Sequence, residues 1–255
     1  MFGELFFIIL IANLIIGVLL GLSSIGGFLL PLFYVGFLAL PLTESLALSF
    51  FSFAIGGIIG TYTYYKTGNI QFKLAIILSI ASIPGAFLGV KLNIMIPDDL
   101  AKIILYLFVF ISGLALLYRS KDDGNKDIPQ LFENKSFVLI LGLVISAICA
   151  LTGAGGPIIL VPLMTALGLN IRVAVGVCLF NSVFIALPSI LGYFQHSSMD
   201  GMGSLLIASF IGQVFGIIGG TYLSNKVQLN SLRIFIAGFT LLSATYMILD
   251  TVNVI

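Results

Sequence analysis

From Leu5 to Leu22 the chain runs for eighteen residues, LFFIILIANLIIGVLLGL, without a charged side chain. An α-helix needs about 18–20 predominantly apolar residues to cross a bilayer, and several further runs of that kind follow. Only 8% of the 255 residues are charged and 60% are hydrophobic, against roughly 25% charged in a soluble domain. Within lipid every backbone N–H and C=O must be paired inside the protein, which leaves helices or closed barrels. A barrel alternates apolar and polar residues around a polar lumen, and these runs do not. The sequence therefore predicts an all-α, polytopic membrane protein. The first run lacks a positive n-region and a small-residue cleavage site, so it reads as a retained helix.

The only long polar stretch, Arg119–Lys135, divides the chain near its middle. The halves align at an offset of about 130: Tyr64 with Tyr193, Gly85 with Gly216, Gly89 with Gly220, Leu92 with Leu223, Ser49 with Cys178 and Ser52 with Asn181. Each half offers five apolar segments, at 4–22, 26–41, 45–65, 72–92 and 98–118, then 136–152, 156–168, 172–194, 203–223 and 229–250. The second segment of each half is short, and positive charge tests whether it crosses. With ten crossings, nine Lys and Arg lie on one face and two, Lys91 and Lys102, on the other; without the short segments the split is six against five. Ten crossings are preferred, with both termini outside and the central loop cytoplasmic. Five crossings is an odd number, so the second half enters from the opposite side. The predicted domains are a first membrane repeat at 1–118, a cytoplasmic linker at 119–135 and a second, inverted repeat at 136–255, an architecture common in secondary transporters.

Short Gly/Pro-interrupted segments at matching places in two halves point to a transport site. Ser23-Ser24-Ile25-Gly26-Gly27 and Thr152-Gly153-Ala154-Gly155-Gly156 fit that description. The segments starting at Phe28 and Pro157 would aim helix N-termini inward, favouring an anion without a lysine. Ser23, Ser24 and Thr152 would add hydroxyl donors. Close helix packing by small residues is the rival reading, and it is preferred for Gly56–Gly60, Gly85–Gly89, Gly212–Gly216 and Gly216–Gly220. Ser45, Ser49 and Ser52 share one helical face of the third segment, and Cys178, Asn181 and Ser182 hold the equivalent places. That face suits a pathway lining or interhelical hydrogen bonds.

Ionisable residues within membranes usually mark function, and almost none occur here. Glu44 falls in a short turn and reads as solvated; His196, the only histidine, falls in a loop. The lack of buried carboxylates argues against a proton pump. An enzyme is disfavoured: Gly21-Leu22-Ser23-Ser24-Ile25 breaks the G-x-S-x-G pattern at its last position, and no metal cluster is present. Cys149 and Cys178 read as small buried hydrophobes. The net charge of +1 comes with no basic cluster that would suggest nucleic acid.

The motifs GLSSIGGFLLPLF and LTGAGGPIILVPLMTALGLNIRVAVG resemble the sulfite exporter TauE/SafE family of membrane permeases. Gly153, Gly155, Gly156, Pro162, Ala174 and Gly176 match the pattern, whereas Ser23, Ser24 and Ile25 stand where glycines are usual and Ala47 replaces the glycine matched by Gly176. The resemblance spans about Ile9 to Leu249. It implies transport of a small sulfur-containing or organic anion, such as sulfite, sulfoacetate or a thiosulfate-like species, across the cytoplasmic membrane. The expected substrate-binding residues are Ser23, Ser24, Gly26, Gly27, Ser49, Ser52, Thr152, Gly153, Gly155, Gly156, Cys178 and Asn181. No cofactor is expected; the expected partners are the anion and membrane lipid, with a homodimer left open. An anion channel of the same fold and a non-transporting membrane assembly factor are the competing readings.

Overall fold

The computed structural model describes residues 2–23, 26–117, 128–153, 155–197, 201–223 and 229–251. Among these residues there is no strand, and ten α-helices follow one another: α1 (Phe2–Ser23), α2 (Leu29–Leu32, widening into a π-turn at Phe33–Phe37), α3 (Leu42–Lys66), α4 (Phe72–Met95), α5 (Asp98–Leu117), α6 (Lys135–Thr152), α7 (Gly156–Ala166), α8 (Ile171–Gln195), α9 (Met202–Leu223) and α10 (Leu229–Thr251). Six of them, α1, α3, α4, α6, α8 and α9, are long and apolar enough to cross a membrane. The second segments differ from the rest. Leu29–Phe37 and Gly156–Ala166 rise only about 13 Å and about 16 Å at 1.5 Å per residue, roughly half of a hydrocarbon core about 30 Å thick.

The local signals explain several boundaries. Asn134 caps α6, its side chain accepting from the Ser136 and Phe137 amides at 3.0 and 3.3 Å. Asn170 caps α8 in the same way, from Arg172 and Val173 at 2.9 and 3.4 Å. Such caps pair amides that have no partner in the first turn.

Large apolar side chains face outward, as lipid demands, and several polar ones lie in the interior. Leu242 is 76% exposed and Phe215 64%, whereas Asn13, Ser49, Ser52 and Gln213 are fully buried. Small residues bring the helices together, as the sequence predicts for Gly85–Gly89 and Gly212–Gly220. A Cβ on Gly216 would lie 2.9 Å from Gly17 Cα, and one on Gly142 would lie 2.5 Å from the Leu78 carbonyl. The expectation for Gly56–Gly60 needs correcting. Gly57 and Gly60 press on α8, where a Cβ would meet Val183 at 2.8 Å and Leu179 at 2.9 Å; Gly56 has only ordinary contacts at 3.7–3.8 Å, with Leu20, Ile217 and Gln213.

The helix pairing repeats between the halves. α1 packs on α9 as α6 packs on α4, α3 touches α9 as α8 touches α4, and α3–α8 and α5–α10 pair across the halves. Leu10, Leu14 and Val18 lie beside Gly212, Gly216 and Gly220 in turn, so α1 and α9 run parallel. α4 and α6 also run parallel, with Leu78 beside Gly142 and Gly89 beside Ala147. α3 and α8 run antiparallel: Phe50 stacks on Tyr193, Gly57 meets Ser182 and Gly60 meets Leu179.

Candidate functional site

The two glycine breaks meet at one aromatic ring. A Cβ on Gly27 would lie 2.9 Å from Phe53 Cε1, and a Cβ on Gly155 would lie 3.2 Å from Phe53 Cε2. The ring thus has one break on each edge. Phe53 sits near mid-length of α3. Gly156, across the second break, lies 3.7 Å by the same measure from Ser182, near mid-length of α8. Both breaks therefore abut the middle of the two most buried helices. Gly155 adopts φ 73° and ψ 148°, and Gly153 ends α6 in the left-handed region at φ 70°. Those angles disfavour a side chain and let the chain turn from α6 into α7. Pro157 occupies the first turn of α7, where its missing N–H is no loss. α2 has a single α-helical turn before its π-turn, so α7, at eleven residues, is the break with an aligned helix behind it.

Most hydroxyls expected to face a ligand point elsewhere. Ser49 donates to the Ser45 carbonyl at 2.7 Å, and Thr152 to the Ile148 carbonyl at 2.8 Å. Each gives its one proton to the preceding turn of its own helix. Ser52 donates to Asn13 Oδ1 at 2.8 Å, and Asn181 Oδ1 accepts from Ser79 at 3.1 Å. Cys178 Sγ lies 3.9 Å from Met164 Sδ, tying α8 to α7. Ser23 ends α1 and its side chain is not described; Ser24 lies outside the described residues. Gly26 and Gly27 are buried at the first break.

The polar centre includes residues that sequence reasoning missed. Asn13 Nδ2 lies 2.5 Å from Tyr34 Oη, 2.8 Å from the Ile9 carbonyl and 3.3 Å from Ser209 Oγ, and shares its two N–H donors among them. Gln213, on the adjoining face of α9, is fully buried with no partner for either amide atom. The available signal was an amide within an uncharged apolar run, which membrane helices carry at helix contacts or pathways. Phe53 had no such signal. The equivalent α4–α6 pair is plainer: Ser82 donates to the Leu78 and Gly142 carbonyls at 3.0 and 3.4 Å. Glu44 also differs from expectation. It is only 2% exposed in the first turn of α3, and its Oε1 accepts from Ser197 Oγ at 3.4 Å. A loop from the other half thus covers what the sequence suggests is a solvated turn.

Away from the breaks, a groove of about 340 Å³ opens on the side of α3 and α8, lined by Ile58, Thr61, Tyr62, Tyr65, Phe72, Phe180, Val183 and Phe184. Its walls are almost wholly apolar, which suits lipid chains better than an anion.

An all-helical, multi-pass bundle with a polar interior and paired half-length helices has the construction of a membrane transporter. The sequence matches the family described as sulfite exporter TauE/SafE over residues 7–247. This chain belongs to that family. It is similar to the probable membrane transporter protein YdhB of Bacillus subtilis, 29% identical over 92% of this chain and 99% of that one. It is also similar to a probable membrane transporter protein of Haemophilus influenzae, 26% identical over 86% of this chain and 85% of that one. YjnA of Bacillus subtilis, another probable membrane transporter protein, is 23% identical over 94% and 98%. No solved structure matches the chain. All three relatives are described as probable membrane transporters.

Proposed function

We propose that the protein is a secondary transporter that moves a small sulfur-containing anion, such as sulfite, sulfoacetate or a thiosulfate-like species, across the cytoplasmic membrane by alternating access. The observation that carries this reading is the meeting of both glycine breaks at Phe53, at mid-length of α3. A site there lies near the midplane, with the first-turn amides of α7 facing it and Phe53 between the two walls. Backbone amides favour an anion without a buried cation, in keeping with a core free of lysine and arginine among the described residues.

The topology belongs to the same proposal: repeats at 1–118 and 136–255 joined by a cytoplasmic linker at 119–135, ten segments and both termini outside. A two-fold axis in the membrane plane makes any helix pair that it exchanges antiparallel; an axis along the normal makes such a pair parallel. The antiparallel α3–α8 pair favours the in-plane axis and so the inverted repeat. Rocking one repeat against the other would then expose the site to each side in turn. Moving a monoanion out of a negative interior is favourable by about 2.3 kcal/mol per 100 mV, enough to drive export without a proton carrier.

The first test is thermal unfolding of the purified protein with sulfite, thiosulfate, sulfoacetate and sulfate. A ligand held by the folded state raises Tm with its concentration. A saturable rise with one of the first three is the expected result, and no rise with any would refute the reading. Single-channel currents in planar bilayers would replace the carrier with an anion channel. A tag within 121–135 that is reached from outside the cell would overturn the orientation.

A further inference from the structure

The two halves differ at one buried place. The offset that relates Gly85 to Gly216 also relates Ser82 to Gln213. Ser82 is satisfied, donating to the Leu78 and Gly142 carbonyls. Gln213 is fully buried, yet neither Nε2 nor Oε1 has a partner. A buried polar atom left unpaired costs about 1–3 kcal/mol, and such groups in native structures call for an explanation. The neighbouring amide, Asn13, bonds Tyr34, Ile9, Ser209 and Ser52, so it does not satisfy Gln213.

The position of Gln213 ties it to the first break. Its Nε2 lies 3.8 Å from where a Cβ on Gly56 would stand, one helical turn along α3 from Phe53. Leu20 Cδ1 lies 3.7 Å from that point and 3.6 Å from the corresponding point on Gly27. One leucine side chain therefore separates the unpaired amide from the Gly27 break. Glycine at 56 leaves the amide ordinary van der Waals space on the α3 side.

We propose that Gln213 is the side chain that selects the transported anion, and that the favoured anion carries a hydroxyl group beside its charged oxygens. Nε2 donates to an anionic oxygen, and Oε1 accepts from the hydroxyl. An amide with both atoms unpaired is matched by a group that brings both an acceptor and a donor, as a hydroxylated anion does. A bare oxyanion fills one half of it and leaves Oε1 unpaired. A site built to bond a substrate hydroxyl discriminates strongly against the analogue that lacks it. The assignment rests on the proposed anion transport through the breaks, and the anion reaches Gln213 when the Leu20 side chain moves aside.

The test uses two probes that differ by one hydroxyl, isethionate (2-hydroxyethanesulfonate) and ethanesulfonate. Affinities are read from the concentration dependence of Tm for the full-length protein in detergent. The wild type should bind isethionate at least about tenfold more tightly, and Gln213→Met should bring the ratio close to one. Without ligand, Gln213→Met should match or exceed the wild-type Tm, because an unpaired buried amide has been removed. Gln213→Glu, which puts a carboxylate in place of the donor, should weaken both probes. A wild type that binds both sulfonates equally, a Gln213→Met variant that keeps the preference, or one whose ligand-free Tm falls would each overturn the assignment while anion transport stands. A wild type that binds neither probe, nor sulfite or thiosulfate, would overturn the transport reading and this assignment together.

Discussion

Two neighbouring glycines on α9 should respond oppositely to the same substitution. A Cβ on Gly219 would meet nothing within 4 Å, whereas a Cβ on Gly220 would stand 2.9 Å from Val18 C and Cα and closer still to the Val18 carbonyl oxygen. Alanine is favoured over glycine in a helix by about 1 kcal/mol at either position, so that gain cancels between the variants. What remains is the cost of forcing α1 away from α9. Overpacking of this kind costs about 1–3 kcal/mol, and here the obstacle is backbone, which cannot rotate aside. Near Tm, 1 kcal/mol shifts a chain of this size by roughly 2–4 °C, so the two variants should differ by roughly 2–12 °C. Thermal unfolding in detergent, followed by circular dichroism, gives the comparison. Gly219→Ala should match or exceed the wild type, and Gly220→Ala should fall below it. Equal Tm values would refute the close approach of α1 and α9, on which the pairing scheme rests.

Three further substitutions probe the centre. Gly155→Ala places a side chain at φ 73° and 3.2 Å from the Phe53 ring; strain of about 1–3 kcal/mol should lower Tm, and the anion-dependent rise in Tm should disappear. Phe53→Ala removes a ring only 7% exposed, so it should cost about 3–5 kcal/mol and increase passive anion leak through proteoliposomes. Tyr193→Phe leaves the Ala150 carbonyl without the hydroxyl that now donates to it at 2.7 Å, which should cost about 1–3 kcal/mol in thermal unfolding.

Much of this architecture is legible in the residues because lipid permits few backbone solutions. Helix bounds such as Ile171–Gln195 and Met202–Leu223 fall within a residue of the expected 172–194 and 203–223, since Asn170 and the glycine- or charge-bearing loops punctuate them. The close-packed glycines at 85, 89, 216 and 220 are also readable, from their four-residue spacing. Less legible is where a hydroxyl points. Ser49 and Thr152 read as ligand donors, but each can return its proton to its own helix, and both do so. Phe53 is one apolar residue among many until the fold sets Gly27 and Gly155 on its two edges. Glu44 accepts from Ser197, 153 positions away, a separation that no local pattern reports. Asn13 and Gln213 were visible as lone amides in apolar runs, and only the packing of α1 on α9 makes them neighbours.

Counterflow in proteoliposomes tests the transport claim most directly. Vesicles loaded with unlabelled sulfite and diluted into a trace of labelled sulfite should accumulate label transiently above equilibrium, saturably, and only when the protein is present; Gly155→Ala should abolish the overshoot. Uptake that never exceeds equilibrium for sulfite, thiosulfate or sulfoacetate would contradict an alternating-access anion carrier built around the two breaks.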